Sequence, residues 1–305
     1  MSHPSSNTNV DAASVFGRTA DAGSDSGTRH GHGATTRIAS TAGLSWPDFR
    51  EVWRYRNLLL IFAVRDVRLR YKQTVLGPAW TIIQPFMAMI LLTLFFGRLI
   101  QVPSDGVPYP VFAFSALLPW QFFSRCLNET STCLAANQGL ISKVYFPRLI
   151  LPLAIVTGAS LDFGVAFLAL LAMLLWYGIA ISWTILLAPL FVLLALLTAL
   201  GAGLWFASLD AFYRDVRYFV GYLVQVWFFA TPIVYPLSLI PEKLRFIYEV
   251  NPLVGAIVGF RWAVLGTTQP PNLVALAISC VLILVTLASG IVFFRRVERD
   301  VIDKV

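Results

Sequence analysis

Ionisable residues inside long apolar runs are the first chemistry this sequence offers. Asp162 stands in Ser160-Leu161-Asp162-Phe163, within the run from Leu149 to Tyr177. A carboxylate at the centre of such a run costs on the order of 3 kcal/mol unless it meets water or a partner. Two readings follow: a pathway or gating group, or a carboxylate near an interface or bonded to a neighbouring helix. Arg261, between Phe260 and Trp262, is the one cation in the apolar piece Leu253 to Leu265. It needs a polar partner or the phosphate of a substrate, or it must snorkel to solvent. Gln84-Pro85 and Thr231-Pro232 set prolines inside apolar runs, where the lost backbone hydrogen bond could kink a helix that lines a passage. Helix packing accounts for such prolines equally well. Aromatic residues such as Trp80, Trp120, Tyr218, Tyr222 and Trp227 could stack on sugar rings, but they also suit the aromatic belts of any membrane protein.

Other chemistries find little support. No G-x-x-x-x-G-K-[ST] loop occurs, so nucleotide hydrolysis by that mechanism belongs to another subunit. There is no H-E-x-x-H and no G-x-S-x-G. The histidines, His3, His30 and His32, all lie in the first 32 residues, where His30-Gly31-His32 reads either as a weak metal ligand pair or as solvated tail. Cys126, Cys133 and Cys280 have no paired or metal-like spacing and are read as free thiols. No cofactor or metal is expected in this chain. The net charge of +7 sits beside the apolar runs instead of forming a basic face, so a nucleic-acid partner is not expected.

The elements that must position these residues are membrane helices. Of 305 residues, 57% are hydrophobic and 13% charged, about half the charge of an ordinary soluble domain. The fold class is an all-α integral membrane protein. Residues 1–42 have the composition of a disordered polar tail, and 43–305 form the transmembrane domain. An amphipathic interface helix is expected over about 45–63, with Trp46, Phe49 and Trp53 on its apolar face. Six spans are expected at about 79–98, 109–126, 149–177, 183–209, 217–235 and 273–294. With both termini cytoplasmic, Lys143, Arg148, Arg214, Arg217, Arg295 and Arg296 fall inside, whereas Arg98, Lys243, Arg245 and Arg261 fall outside. Between the last two runs, Pro236, Pro241, Pro252, Pro270 and Pro271 break residues 236–272 into pieces too short to cross, which predicts interfacial or re-entrant helices.

From residue 60 onward the chain resembles the permease subunits of type-2 ABC exporters of the polysaccharide-export group. The segments that carry the resemblance are Arg65-Asp66-Val67-Arg68-Leu69-Arg70-Tyr71-Lys72, continuing to Gly77-Pro78-Ala79-Trp80, and then Leu140 to Arg148 with Leu151-Pro152. Tyr213-Arg214-Asp215-Val216-Arg217, Thr231-Pro232-Ile233-Val234-Tyr235-Pro236, Asn251-Pro252-Leu253 and Phe260-Arg261-Trp262 follow in the same order. The resemblance implies a homodimer of this chain in a bacterial inner membrane, driven by a separate ATP-binding subunit and exporting a lipid-linked glycan such as O-antigen, capsule or teichoic acid. It also implies short gate helices before the last span, and a coupling helix in the loop from Asn128 to Arg148.

Within that loop Lys143, Tyr145, Phe146 and Arg148 are the expected contacts to the ATPase, an aromatic anchor with flanking charge; lipid headgroups would attract the same residues. Gln84, Asp162, Thr231, Phe260, Arg261 and Trp262 are the expected gate or pathway residues. A permease for a small amphiphile and a membrane-embedded transferase are the competing readings.

Overall fold

In the computed structural model the described residues, 53–302 apart from 73, 145 and 267–269, form helices and the turns that join them, with no strand among them. Trp46, Phe49 and Tyr145 lie outside the described residues. Helix α1 (Arg56–Tyr71) buries Phe62 and Ala63 and turns Leu60, Ile61 and Val64 outward. It continues past residue 63 to Tyr71, so Arg65, Arg68 and Arg70 belong to the helix. Arg68 and Arg70 in its last turn suit the negative end of the helix dipole. Trp53, just before it, is 69% exposed and lies under the Arg56 guanidinium.

After a turn at Gly77–Ala79 comes α2 (Trp80–Leu92), which contains Pro85 and passes into a π-helical segment over Thr93–Leu99. Helix α3 (Tyr109–Ser131) is the centre of the molecule, with Val111, Phe112, Ala113 and Phe114 all fully buried. Phe123, Cys126 and Leu127 continue that burial toward its far end. The short helices α4 (Cys133–Ala136) and α5 (Gln138–Ile141) lead to the hairpin of α6 (Ile150–Trp176) and α7 (Ala188–Asp210). Helix α8 (Val216–Phe229) is followed by α9 (Glu242–Glu249), α10 (Pro252–Leu265) and α11 (Leu273–Ile302).

Four stretches are long and apolar enough to cross a membrane: Gly77–Leu99, Ile150–Trp176, Trp183–Asp210 and Leu273–Glu298. Helix α3 has the length, but Arg125 and Glu129 near its end lower its hydropathy. Helix α8 stops at Phe229, before the Thr231-Pro232 pair, which therefore lies beyond the helix instead of inside it. At 14 residues it spans only about 21 Å, less than the ~30 Å hydrocarbon core. Among the described residues these four are the stretches that qualify by length and composition alone.

Close packing depends on small residues at particular points. A Cβ on Gly290 of α11 would lie 2.8 Å from the carbonyl oxygen of Gly201 on α7, so these backbones touch as only glycine permits. The end of α10 is equally specified: Asn251 Oδ1 accepts from the Leu253 amide at 3.2 Å, Pro252 occupies the first helical position, and Gly266 closes the helix at φ 65°. Gly259, on the same helix, receives the ring of Phe191, whose Cε1 lies 2.0 Å from where a Cβ would stand. Gly259→Val is therefore expected to lower stability by about 1–3 kcal/mol, since the ring must leave its slot. Gly164→Ala, at a glycine with open space around it, should be neutral. Thermal unfolding of the two purified variants checks this, and equal midpoints would contradict the packing.

Candidate functional site

Two side-chain constellations and one loop stand out. The first surrounds Asp162, roughly midway along α6. Its Oδ2 accepts from Arg70 Nη1 of α1 at 2.8 Å and from Arg125 Nη1 of α3. Its Oδ1 accepts from the Tyr71 hydroxyl at 3.0 Å. Glu129, one turn beyond Arg125, accepts from Arg125 Nε at 3.1 Å and Arg70 Nη2 at 2.8 Å. Both arginines thus bridge both carboxylates and close a ring of alternating charge. Asp162 is thus bonded to the neighbouring helices α1 and α3.

The ring forms one wall of a cavity of about 600 Å³. Gln84, Gln121, Thr74 and Thr81 add polar groups to it, and Trp80 and Phe163 add rings. Thr74 and Trp80 are exposed at its mouth, whereas Pro85, Leu118 and Ala166 are buried at its floor. Arg70, Arg125 and Glu129 had no individual role in the sequence. The legible signal was Arg125-x-x-x-Glu129, a pair at helical spacing inside an apolar helix.

The second constellation holds the break after α8. Thr231, Ile233 and Val234 are buried in irregular backbone, and consecutive carbonyls there are satisfied by side chains from other elements. Arg261 Nη2 donates to the carbonyl oxygens of Pro232 at 3.0 Å and Ile233 at 3.1 Å, and the Tyr109 hydroxyl donates to that of Val234 at 2.8 Å. Buried backbone oxygens without such partners would be costly. The Arg261 guanidinium also lies 3.7 Å from the centroid of the Phe112 ring, a cation–π arrangement.

At 3% exposure Arg261 neither snorkels nor stands open for a phosphate; its polar partner is the chain itself. Thr231 donates to the Trp227 carbonyl at 2.8 Å. Phe260 is fully buried edge-on to Phe163 and Phe167, and the half-buried Trp262 meets Phe191. Tyr109 and Phe112 complete this site and were not singled out, because hydroxyl and ring matter here only through a segment more than a hundred residues away.

The loop before α6 is rooted inward. Phe146 is 4% exposed and edge-on to Phe62 of α1 at 5.5 Å. Around it Cys133, Leu134, Leu149, Ile150 and Phe294 make a second core, which joins α1, the loop and the ends of α6, α7 and α11. Arg148 donates from Nη1 to the Glu298 carbonyl at 2.8 Å, and its Nε lies 3.8 Å from the Glu298 carboxylate. Burial lowers the Arg148 pKa, opposed by that carboxylate. Neither Phe146 nor Arg148 therefore offers the outward contact expected of it. Lys143 and Val144, at the tip, are exposed.

Comparison with known proteins adds what geometry alone lacks. The model of the ABC-2 type transporter family matches residues 57–265, which includes both constellations and the loop. The chain is 29% identical to the O-antigen export system permease protein RfbA of Myxococcus xanthus, over 82% of this chain and 96% of that protein. It is 30% identical to the RfbA permease of Klebsiella pneumoniae over 67% of this chain and 79% of that one. To the polysialic acid transport protein KpsM of Escherichia coli it is 27% identical, over 77% and 91% of the two chains. With the family model covering most of its length, the chain belongs to the ABC-2 type transporter family.

Proposed function

We propose that the chain is the membrane-spanning subunit of an ATP-driven exporter of a lipid-linked polysaccharide, of O-antigen or capsule type, in a bacterial inner membrane. It works as a homodimer with a separate nucleotide-binding subunit, and both its termini are cytoplasmic. Its relatives are named for O-antigen export and polysialic acid transport, which supports this cargo class over a small amphiphile. Six crossings include α3, which is buried and about 35 Å long, and α8 extended by the Thr231–Val234 segment. Trp53 and the outward apolar residues of α1 suit a helix in the membrane interface.

The observation that carries the reading is the irregular backbone at Thr231–Val234, held inside the bundle by Arg261 and Tyr109. Such backbone at membrane depth is tolerated where it is buried in protein or lines a water-filled passage. Gln84, Thr231, Phe260 and Trp262 belong to that pathway or its gate. Lys143 and Val144 touch the ATPase, and Phe146 and Arg148 carry the motion from that tip into the helices.

Cells lacking the chain are expected to accumulate lipid-linked glycan on the cytoplasmic side and to lose it from the surface. The check is extraction of lipid-linked sugars together with surface staining. Normal surface glycan, with loss of export of a small amphiphile, would replace this reading by the other permease class.

A further inference from the structure

The charge ring at the 600 Å³ cavity asks why four ionised groups should sit among apolar helices. Arg70 and Tyr71 come from the last turn of α1, Arg125 and Glu129 from α3, and Asp162 from α6. Tyr71 also shares a hydrogen bond of 2.5 Å with Thr81 in the first turn of α2. One cluster therefore ties the end of α1 and the start of α2 to the two helices behind them.

Stability is a poor explanation for it. Removing charges from water offsets most of their mutual attraction, and well-packed apolar groups of similar volume often hold a fold as well or better. Nor is the closed ring fully satisfied, since Arg125 Nη2 is buried without a hydrogen-bond partner. The cavity beside it changes the balance, because the same groups can be hydrated there when they part. A contact that is specific in geometry, neutral in sum and hydratable when broken suits a joint with two states.

The surroundings supply the lever. Helix α1 is seated by its middle, with Ala63 buried and Val67 lying against Gly158 of α6. Phe62 connects it to Phe146 of the cytoplasmic loop. Helix α2 is packed further along, through Pro85, Met89 and Phe86 against Phe114, whereas its first turn is joined to the cluster by the Tyr71–Thr81 bond, Tyr71 in turn donating to Asp162 of the ring.

We propose that the ring of Arg70, Glu129, Arg125 and Asp162 is a releasable tether. Closed, it positions α1 and the first turn of α2 against α3 and α6; parted, it frees α2 to move when the cytoplasmic face is driven. These four are positioning residues that act through α1 and α2. The inference rests on the reading that a separate ATPase drives this chain.

The test is a variant in which the ring is neutral but similar in volume: Arg70→Gln, Arg125→Gln, Glu129→Gln and Asp162→Asn together, in the full chain with its ATPase. Abundance in the membrane and thermal midpoint should match the parent or exceed it. ATP hydrolysis per complex should continue, and glycan exported per ATP should fall at least tenfold. Asp162→Asn alone leaves two arginines on one carboxylate and should reduce the folded chain; adding Arg125→Gln should restore abundance without restoring export.

Parental export per ATP in the quadruple variant overturns the tether. So does its failure to fold, which would make the ring a stability element. The ATPase reading fails separately, if the parent chain exports in cells that lack any partner ATPase.

Discussion

Arg261→Ala is expected to abolish export and to deplete the folded chain. The guanidinium is the donor to two successive carbonyl oxygens in buried backbone, and alanine offers nothing in its place. Each unsatisfied buried group costs about 1–3 kcal/mol, and loss of a desolvated cation–π contact adds roughly 2 kcal/mol. The sum approaches the whole margin of a typical domain, about 5–15 kcal/mol. Arg261→Lys keeps the charge but not the planar fork lying over Phe112, so it should keep part of the folded population and little export. Tyr109→Phe removes one donor from the neighbouring carbonyl of Val234 and should show a smaller defect of the same kind. The measurements are membrane abundance, thermal midpoint in detergent and surface glycan. Arg261→Ala at parental abundance with parental export would show that the broken segment holds its shape unaided.

Phe146→Ala should be nearly as damaging, though for a reason that lies in packing. Its ring joins the second core at a point where α1, the loop before α6 and the ends of three long helices meet. Truncating a buried phenylalanine typically costs about 3–5 kcal/mol, through lost burial and the cavity left behind. Loss of folded chain is therefore expected whether or not the ATPase is present, and excess ATPase should not restore it. Phe146→Leu, which keeps most of the volume, should cost under about 1.5 kcal/mol.

Lys143→Ala separates the proposed ATPase contact from the packing of that core, because Lys143 is exposed and lies outside it. It should leave the chain folded and weaken only the ATPase association. Thermal midpoints with and without the ATPase, together with co-purification, distinguish these outcomes. If Phe146→Ala keeps the parental midpoint but no longer retains the ATPase, the ring is a partner anchor after all.

The amino-acid sequence by itself determined that this chain lives in a membrane, where its long helices run and where its backbone is broken. Those properties are local: an apolar run long enough to cross, or a cluster of prolines, is complete within a few dozen consecutive residues. Runs near 150–176, 188–210 and 273–298 are helices at almost the expected boundaries for that reason. Where the local signal was mixed, the boundaries moved. Helix α1 extends to Tyr71 because its charged residues find partners on α3 and α6, and α8 ends at Phe229 because the next segment is held by side chains from elsewhere.

What each singled-out residue touches was a tertiary matter. Asp162 and Arg261 were conspicuous as charges in apolar surroundings, yet composition could not say whether water, substrate or protein would meet them. Arg70 lies 92 residues from Asp162 in sequence, and Tyr109 lies 125 from Val234, so no spacing rule reaches either pair. The inward turn of Phe146 and Arg148 is of the same kind. An aromatic and a cation in a loop read alike whether they face a partner or the ends of neighbouring helices, and only the packing of those helices decides which surface is left to bury them.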